Sequence, residues 1–322
     1  MSSSTPRPVA VLTEKTRSGA AAGPVAPLEQ QRRKLYWPFM APALTLYVTF
    51  LIGPSIAGIW MSLNTWRGRG DDMTWVGLAQ YRRLLNDTVF HRSFWNTLTI
   101  TIVCGVFIFI IAFAMTMLLR EMWGRKALRS LLFFPYVISP IVIAIGLGLL
   151  LAPQGAFNQV LSGVGLEALT RPWLNPQYMF RVILVGITWV STGFYVVILM
   201  AGVDQIPRYF YEDSELGGAT MWQTFRNVTL PMNWDVLTVA AVLWVINSVR
   251  IFEFIIAFSG TANAPPAGAQ NIPLYQFFQT TGGRMPPYNL GYGAAMGVVM
   301  VALVGVLIVL LRRLMRRDAV QF

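Results

Sequence analysis

Six long apolar runs, separated by polar or basic stretches, leave this 322-residue chain very few ways to fold. They cover about residues 38–63, 97–119, 131–152, 181–203, 236–258 and 291–311. About 20 apolar residues let a helix cross a bilayer core roughly 30 Å thick. In lipid every backbone polar group must be bonded within the protein, so runs of this length are expected as helices. The second and sixth carry no ionised residue. The third contains Pro135 and Pro140 in LLFFPYVISP and is expected to be kinked. Composition agrees: 55% of residues are hydrophobic and 12% charged, against roughly 25% charged in soluble domains. The reading is an all-α integral membrane protein with six transmembrane helices.

The formal charge of +11 raises the possibility of nucleic-acid binding, but no basic, aromatic-interleaved face accompanies it. Most Lys and Arg residues instead flank the apolar runs, where they set topology. Cys104 is the only cysteine and His91 the only histidine, which excludes an internal disulfide, a cysteine–histidine metal cluster and a catalytic triad with a choice of bases. Residues 1–35 are expected as a disordered cytoplasmic tail, and 313–322 as a short cytoplasmic tail behind the six-helix domain at 36–312. With both termini inside, cytoplasmic segments hold 16 of the 25 Lys and Arg, and outer loops hold 7. The first outer loop is rich in arginine and reads as an interfacial helix, with Leu78, Tyr81 and Leu85 on one face and Arg82 and Arg83 off it. Asp318 and the C-terminal arginines read as a stop-transfer anchor.

The fourth loop, residues 205–235, is QIPRYFYEDSELGGATMWQTFRNVTLPMNWD. A loop that only returns the chain could be about six residues long. Pro207 can open a helix, Arg208–Leu216 is helix-compatible, and Gly217 and Gly218 supply a turn. A second helix-compatible stretch, Thr220–Val228, is expected to end before Leu230 and Pro231. This is a helix–turn–helix on the cytoplasmic face.

That segment resembles the EAA loop of the permease subunits of binding-protein-dependent ABC importers. Glu212 stands at the leading Glu, Gly218 and Ala219 at the turn, Phe225 at the usual aromatic, and Leu230 and Pro231 at the close. Asp213 and Ser214 replace the usual alanines, and Gly217 a common Asp. WVGLAQYRRLL, LLFFPYVISPIVIA, AGVDQIPRYFYEDSELGGAT and LGYGAAMGVVM resemble stretches of the maltose-type sugar branch, in the same order, so the likeness covers roughly 36–312. It implies a methionine-importer-like (type I) permease core in a bacterial plasma membrane. It also implies a homologous second permease subunit, two ATP-binding subunits that carry ATP and Mg, and an extracellular solute-binding protein. The chain has no Gly-Lys dipeptide and so no P-loop of its own. No catalytic residue, metal or cofactor is expected in it.

Candidates for the solute path lie in spans four and five. Asn247, Arg250 and Glu253 form a polar stripe; Arg250 and Glu253, three apart on one helical face, either line a hydrated path or pair with each other. Trp189, Ser191, Thr192 and Tyr195 either offer aromatic faces and hydroxyls to a sugar or pack helices together. The loop at 261–273 either touches the binding protein or simply connects. An ion-gradient-driven transporter is the alternative, but it calls for intramembrane carboxylates and inverted repeats, and only Glu253 lies within a span.

Overall fold

The computed structural model describes residues 26–68, 70–120, 122–259, 265–283 and 285–316. Most of the expected N-terminal tail, part of the 261–273 loop, and Arg317 and Asp318 lie outside the described residues. The chain divides into two units, up to Ser55 and from Ile56 onward. In the first, α1 (Ala26–Tyr47) leads through a π-turn (Val48–Ile52) into α2 (Gly53–Ser62), which crosses into the second unit. Residues 26–35 are thus helical rather than tail: LEQQRRKL consists largely of strong helix formers, which the low hydrophobicity of the segment masks.

The second unit opens with a short antiparallel pair, β1 (Asn64–Thr65) and β2 (Thr74–Trp75), then α3 (Ala79–Asn86) and α4 (Thr88–Thr99). A π-turn (Ile100–Cys104) joins α4 to α5 (Gly105–Leu119). There follow α6 (Arg125–Val137), α7 (Pro140–Leu150), α8 (Ala156–Gly163), α9 (Pro176–Val203) and α10 (Tyr209–Leu216). After these come α11 (Met221–Thr224), a π-turn (Phe225–Thr229), α12 (Leu230–Met232), α13 (Trp234–Arg250) and α14 (Glu253–Ser259). The last two helices are α15 (Ile272–Thr280) and α16 (Leu290–Met315).

Four helices are long and apolar enough to span a bilayer: Tyr36–Ser62, Thr88–Leu119, Pro176–Val203 and Leu290–Met315. The count is six if each of two bent pairs is one span. One pair, α6 and α7, bends by 91° at Ser139, where Pro140 opens the second half as its first residue. The expected kink in span three is therefore present. The other bend, 73°, separates the Met221–Met232 segment from α13. Asn233 sits there, 1% exposed, donating its amide to the Leu199 carbonyl of α9 at 3.1 Å.

Span five departs from expectation. The run at 236–258 does not form one helix: α13 stops at Arg250, Ile251 is extended (φ −64°, ψ 116°), and α14 begins at Glu253. Asn271 donates its side-chain amide to the Ile251 carbonyl, while its Oδ1 caps α15 at Leu274 N. A break inside an apolar span is tolerated where side chains re-satisfy the freed backbone, and Asn271 does so.

The main core gathers Ile100, Ile108, Ile183, Leu199 and Ile255 around α5, α9 and α14. A second cluster, with Leu84, Phe90, Ile272, Tyr292 and Met296, unites α3, α4, α15 and α16. Near it, Asp87 caps α4 through Val89 N and Phe90 N. Burial raises the pKa of this carboxyl, but hydrogen bonds from Tyr275, Tyr292, Phe90 and Val89 bring it below the ordinary carboxylate value. Arg83 is exposed, and its guanidinium lies 4.2 Å over the Tyr292 ring.

Close helix contact is set by glycine. A Cβ at Gly193 of α9 would lie 1.8 Å from the Leu132 carbonyl oxygen of α6. Backbone cannot swing aside, so Gly193→Ala must push the two helices apart, at a cost of about 1–3 kcal/mol. The detergent-solubilised protein should melt earlier, whereas Gly146→Ala, with nothing within 4 Å of its Cβ, should leave the melting temperature unchanged.

Candidate functional site

Two features stand out, a cavity at the break in span five and a polar hairpin before α13. The cavity encloses about 990 Å³. The C-terminal half of α9 contributes Ser191 and Tyr195, α13 contributes Trp244, Asn247 and Arg250, and α14 opens onto it with Glu253. Tyr136 at the end of α6, Pro273 of α15, and Gly297 and Met300 of α16 complete much of the wall. A space of this size, mostly apolar with a few convergent polar groups, suits a small-molecule ligand.

The aromatic groups of the wall are held by their neighbours. Tyr195 is 1% exposed, with ring centroids of Phe194, Phe109 and Trp244 5.1, 5.2 and 5.9 Å away, and the Asn247 amide is directed at its hydroxyl. Trp244 donates Nε1–H to the Thr101 carbonyl at 2.7 Å, beside Gly105, which leaves room for the indole. Tyr136 stacks on Phe194, 4.6 Å apart at 17°, and remains 38% exposed.

The break changes the expected relation between Arg250 and Glu253. They do not share a helical face, because one ends α13 and the other starts α14. The described residues contain no ion pair between them, and both are exposed at the cavity. The alternative of a mutual structural salt bridge is set aside. A helix C-terminus favours a cation and an N-terminus an anion, so each charge is at the helix end that suits it.

Of the span-four candidates, Ser191 and Tyr195 reach the cavity, and Trp189 and Thr192 do not. Trp189 points off the bundle, 53% exposed. Thr192 returns its hydroxyl to the Thr188 carbonyl at 2.6 Å, the packing use of threonine. Tyr136 and Trp244 were missed by the sequence reading. Their signal is an aromatic in a proline-broken span and another one turn before Asn247.

The hairpin is α10, a turn, and the α11–α12 segment. Gly218 has φ +70°; its N–H bonds the Glu215 carbonyl and that of Ala219 the Ser214 carbonyl, both at 2.9 Å. This closes α10 with the paired bonds that a left-handed residue permits. Thr220 and Gln223 then form a reciprocal capping box on α11. Across the turn, Tyr211 OH meets Thr229 Oγ1 at 3.3 Å and Ser214 Oγ meets Thr224 Oγ1 at 3.1 Å. The second helix does not end before Leu230 and Pro231 as expected. The π-turn at Phe225–Thr229 runs into α12, where Pro231 sits in the first turn and needs no N–H partner.

Glu212 and Gly218 are exposed on the hairpin, and Ala219 is half-buried. Phe225 and Leu230 pack against the main core instead, Phe225 edge-on to Phe113 at 5.4 Å, and Pro231 is half-buried. The surface the hairpin does present includes Leu216, 88% exposed, and Trp222, 67% exposed. Large apolar residues on both sides of a Gly-Gly turn were the overlooked signal. The Arg120 guanidinium lies 3.2 Å over the Tyr211 ring, and Arg125 and Arg129 reach Asp204 at 3.3 and 3.8 Å. Trp234 also bonds the Met315 carbonyl at 2.7 Å. The hairpin, the ends of α5, α9 and α16 and the start of α6 therefore share one end of the bundle.

Comparison with known proteins follows this geometry. The family described as "Binding-protein-dependent transport system inner membrane component" matches residues 108–320. The trehalose/maltose transport system permease protein MalF of Thermococcus litoralis is 30% identical over 284 residues, covering 87% of this chain and 92% of the relative. The lactose transport system permease protein LacF of Rhizobium radiobacter is 28% identical, covering 84% and 90%. A chain in the crystal structure of a bacterial ABC transporter that imports the acidic polysaccharide alginate shares the fold, with a TM-score of 0.76 at 23% identity, covering 91% of this chain and 98% of that one.

Because Arg250 and Glu253 are unpaired with each other, removing one charge should not strand the other. Glu253→Gln should match the wild type in membrane yield and melting temperature. Loss of one partner of a buried pair would instead cost about 3–5 kcal/mol, visible as a clear drop in both.

Proposed function

Because this chain belongs to the family of binding-protein-dependent transport system inner membrane components, we propose that it forms half of an ATP-driven, alternating-access path for a di- or oligosaccharide. The observation that carries this reading is the cavity at the broken fifth span, where aromatic rings, amide, hydroxyl and two unlike charges converge. Sugars are bound by this combination: aromatic faces cover their C–H surfaces, and the polar groups take the hydroxyls. The relatives named for trehalose/maltose and for lactose transport point the same way.

A cavity within one chain needs a second wall and a motor. A homologous permease subunit supplies the wall, and two ATP-binding subunits supply the motor with their own ATP and Mg. This chain is the non-catalytic component. The 205–235 hairpin couples the two through Glu212, Leu216 and Trp222, held in place by the Gly218 turn. It lies at the same end as Arg120, Arg125, Arg208 and Arg312, so the positive-inside rule puts that end in the cytoplasm; Arg32, Arg33 and Lys34 before the first apolar run, and Arg312 and Arg313 after the last, place both termini there by the same rule. The opposite end, with the α3–α4 corner and α15, then receives solute from an extracellular binding protein. A proton-driven cycle finds less support, since Glu253 is the only carboxylate among the described residues on the cavity wall.

The test is coupling. Valine at 218 would have to hold φ +70°, a conformation costing about 1–3 kcal/mol for such a residue. Gly218→Val should insert normally, lose most of its co-purifying ATP-binding subunit and abolish ATP-dependent uptake. Normal complex yield together with normal uptake would remove the hairpin from its assigned role, and ATP turnover by the isolated chain would contradict its non-catalytic status.

A further inference from the structure

The α3–α4 corner carries a polar cluster that neither the cavity nor the hairpin uses. Asp87 stands between the two helices, and its Oδ1 is committed to capping α4, accepting from Val89 N at 2.9 Å and Phe90 N at 3.1 Å. This fixes the direction of Oδ2, which accepts from Tyr275 OH at 2.6 Å and Tyr292 OH at 2.5 Å. The two phenols come from α15 and from the first turn of α16, 188 and 205 residues further along the chain. Short O–H···O bonds to an ionised acceptor are the strong kind, and here one carboxylate joins three elements. Gln279 Nε2 donates to Tyr275 OH at 3.1 Å, and Asn289 donates to Gln279 Oε1 at 3.2 Å, tying in the connection to α16. The Arg83 guanidinium also lies over the Tyr292 ring, 4.2 Å from its centroid.

These bonds surround a hydrophobic cluster of their own, distinct from the main core. The cavity is built between the two: Pro273, Gly297 and Met300 come from α15 and α16, and Ser191, Tyr195 and Phe254 come from α9 and α14. We propose that Asp87 is a positioning residue for transport, clamping α15 and α16 to the α3–α4 corner so that their wall of the cavity moves as one body. The proposal rests on the transport reading above. With the clamp intact, a movement imposed on span two carries that wall with it. Without it, α15 and α16 shift independently and the cavity opens out of step with ATP hydrolysis.

Two variants of the full complex test this. Asp87→Asn removes the charge, and Tyr275→Phe with Tyr292→Phe removes both donors while keeping the rings in their cluster. Deuterium exchange is followed in peptides covering 272–280 and 290–297, with 183–199 of α9 as internal control, and solute imported per ATP hydrolysed is measured at matched assembly. Both variants should exchange about tenfold faster or more in the first two peptides, with α9 unchanged. Solute per ATP should fall severalfold while ATP turnover persists, and Asp87→Glu should restore part of it. Unchanged exchange at 272–280 would overturn the clamp whatever transport does. Faster exchange with solute per ATP unaltered, uptake and ATP turnover falling in proportion, or loss of assembly in both variants would overturn the positioning role. Failure of the wild-type complex to import would count against the transport reading alone, because exchange judges the clamp without it.

Discussion

The bond from the Asn271 amide to the Ile251 carbonyl is the contact on which the functional geometry depends. An apolar span cannot stop midway through lipid unless something accepts and donates for the backbone it exposes. Asn271 meets that demand at Ile251 and caps the following helix with its other side-chain atom. Its own segment is pinned in turn, as Asn96 donates to the Gly268 and Gln270 carbonyls and Thr97 accepts from Ile272 N. The chain after the break therefore returns into the bundle, and two helix ends face a common space. Arg250 and Glu253 sit at those ends, so a backbone requirement places the charges on the cavity.

The hairpin solves a different problem with local means. A Schellman-type closure at Gly218, a capping box at Thr220 and two side-chain bonds across the turn give a rigid object from about twenty residues. Phe225 and Leu230 anchor it to the bundle core, and Asn233 holds the following bend against α9, where Gly202 leaves room for the amide. In the proposed coupling, a push on the exposed Leu216–Trp222 surface would be carried by these contacts toward α9 and α13, the two helices that supply most of the cavity's polar groups.

What could be read in advance follows this division. The hairpin was legible because its signals are local: Pro207, the Gly-Gly pair, and helix-compatible stretches on both sides of it. The kink in span three was legible from Pro135 and Pro140. The break in span five was not, because NSVRIFEFIIAF contains no proline or glycine to announce it and the residue that permits the break lies 20 positions on. The same gap misjudged Arg250 and Glu253 as helical neighbours. In span four, Ser191 and Tyr195 share a face at a spacing of four, but Thr192 and Tyr195, three apart, are helical neighbours as well. Periodicity alone therefore does not separate them, and only the position of α13 shows which face looks inward. The helix at 26–35 was hidden by composition, since its residues are polar and still favour helix.

The central claim is that the space between α13 and α14 is the solute path and opens to each side of the membrane in turn. Cys104 is the only cysteine in the sequence and is buried, so a reporter thiol placed at Arg250→Cys can be read cleanly. The direct measurement is its reaction rate with a membrane-impermeant thiol reagent, applied from each side to the assembled complex, nucleotide-free and nucleotide-trapped. The account predicts that the reactive side switches between the two states. Equal rates from each side in both states, or no reaction from either, would contradict it.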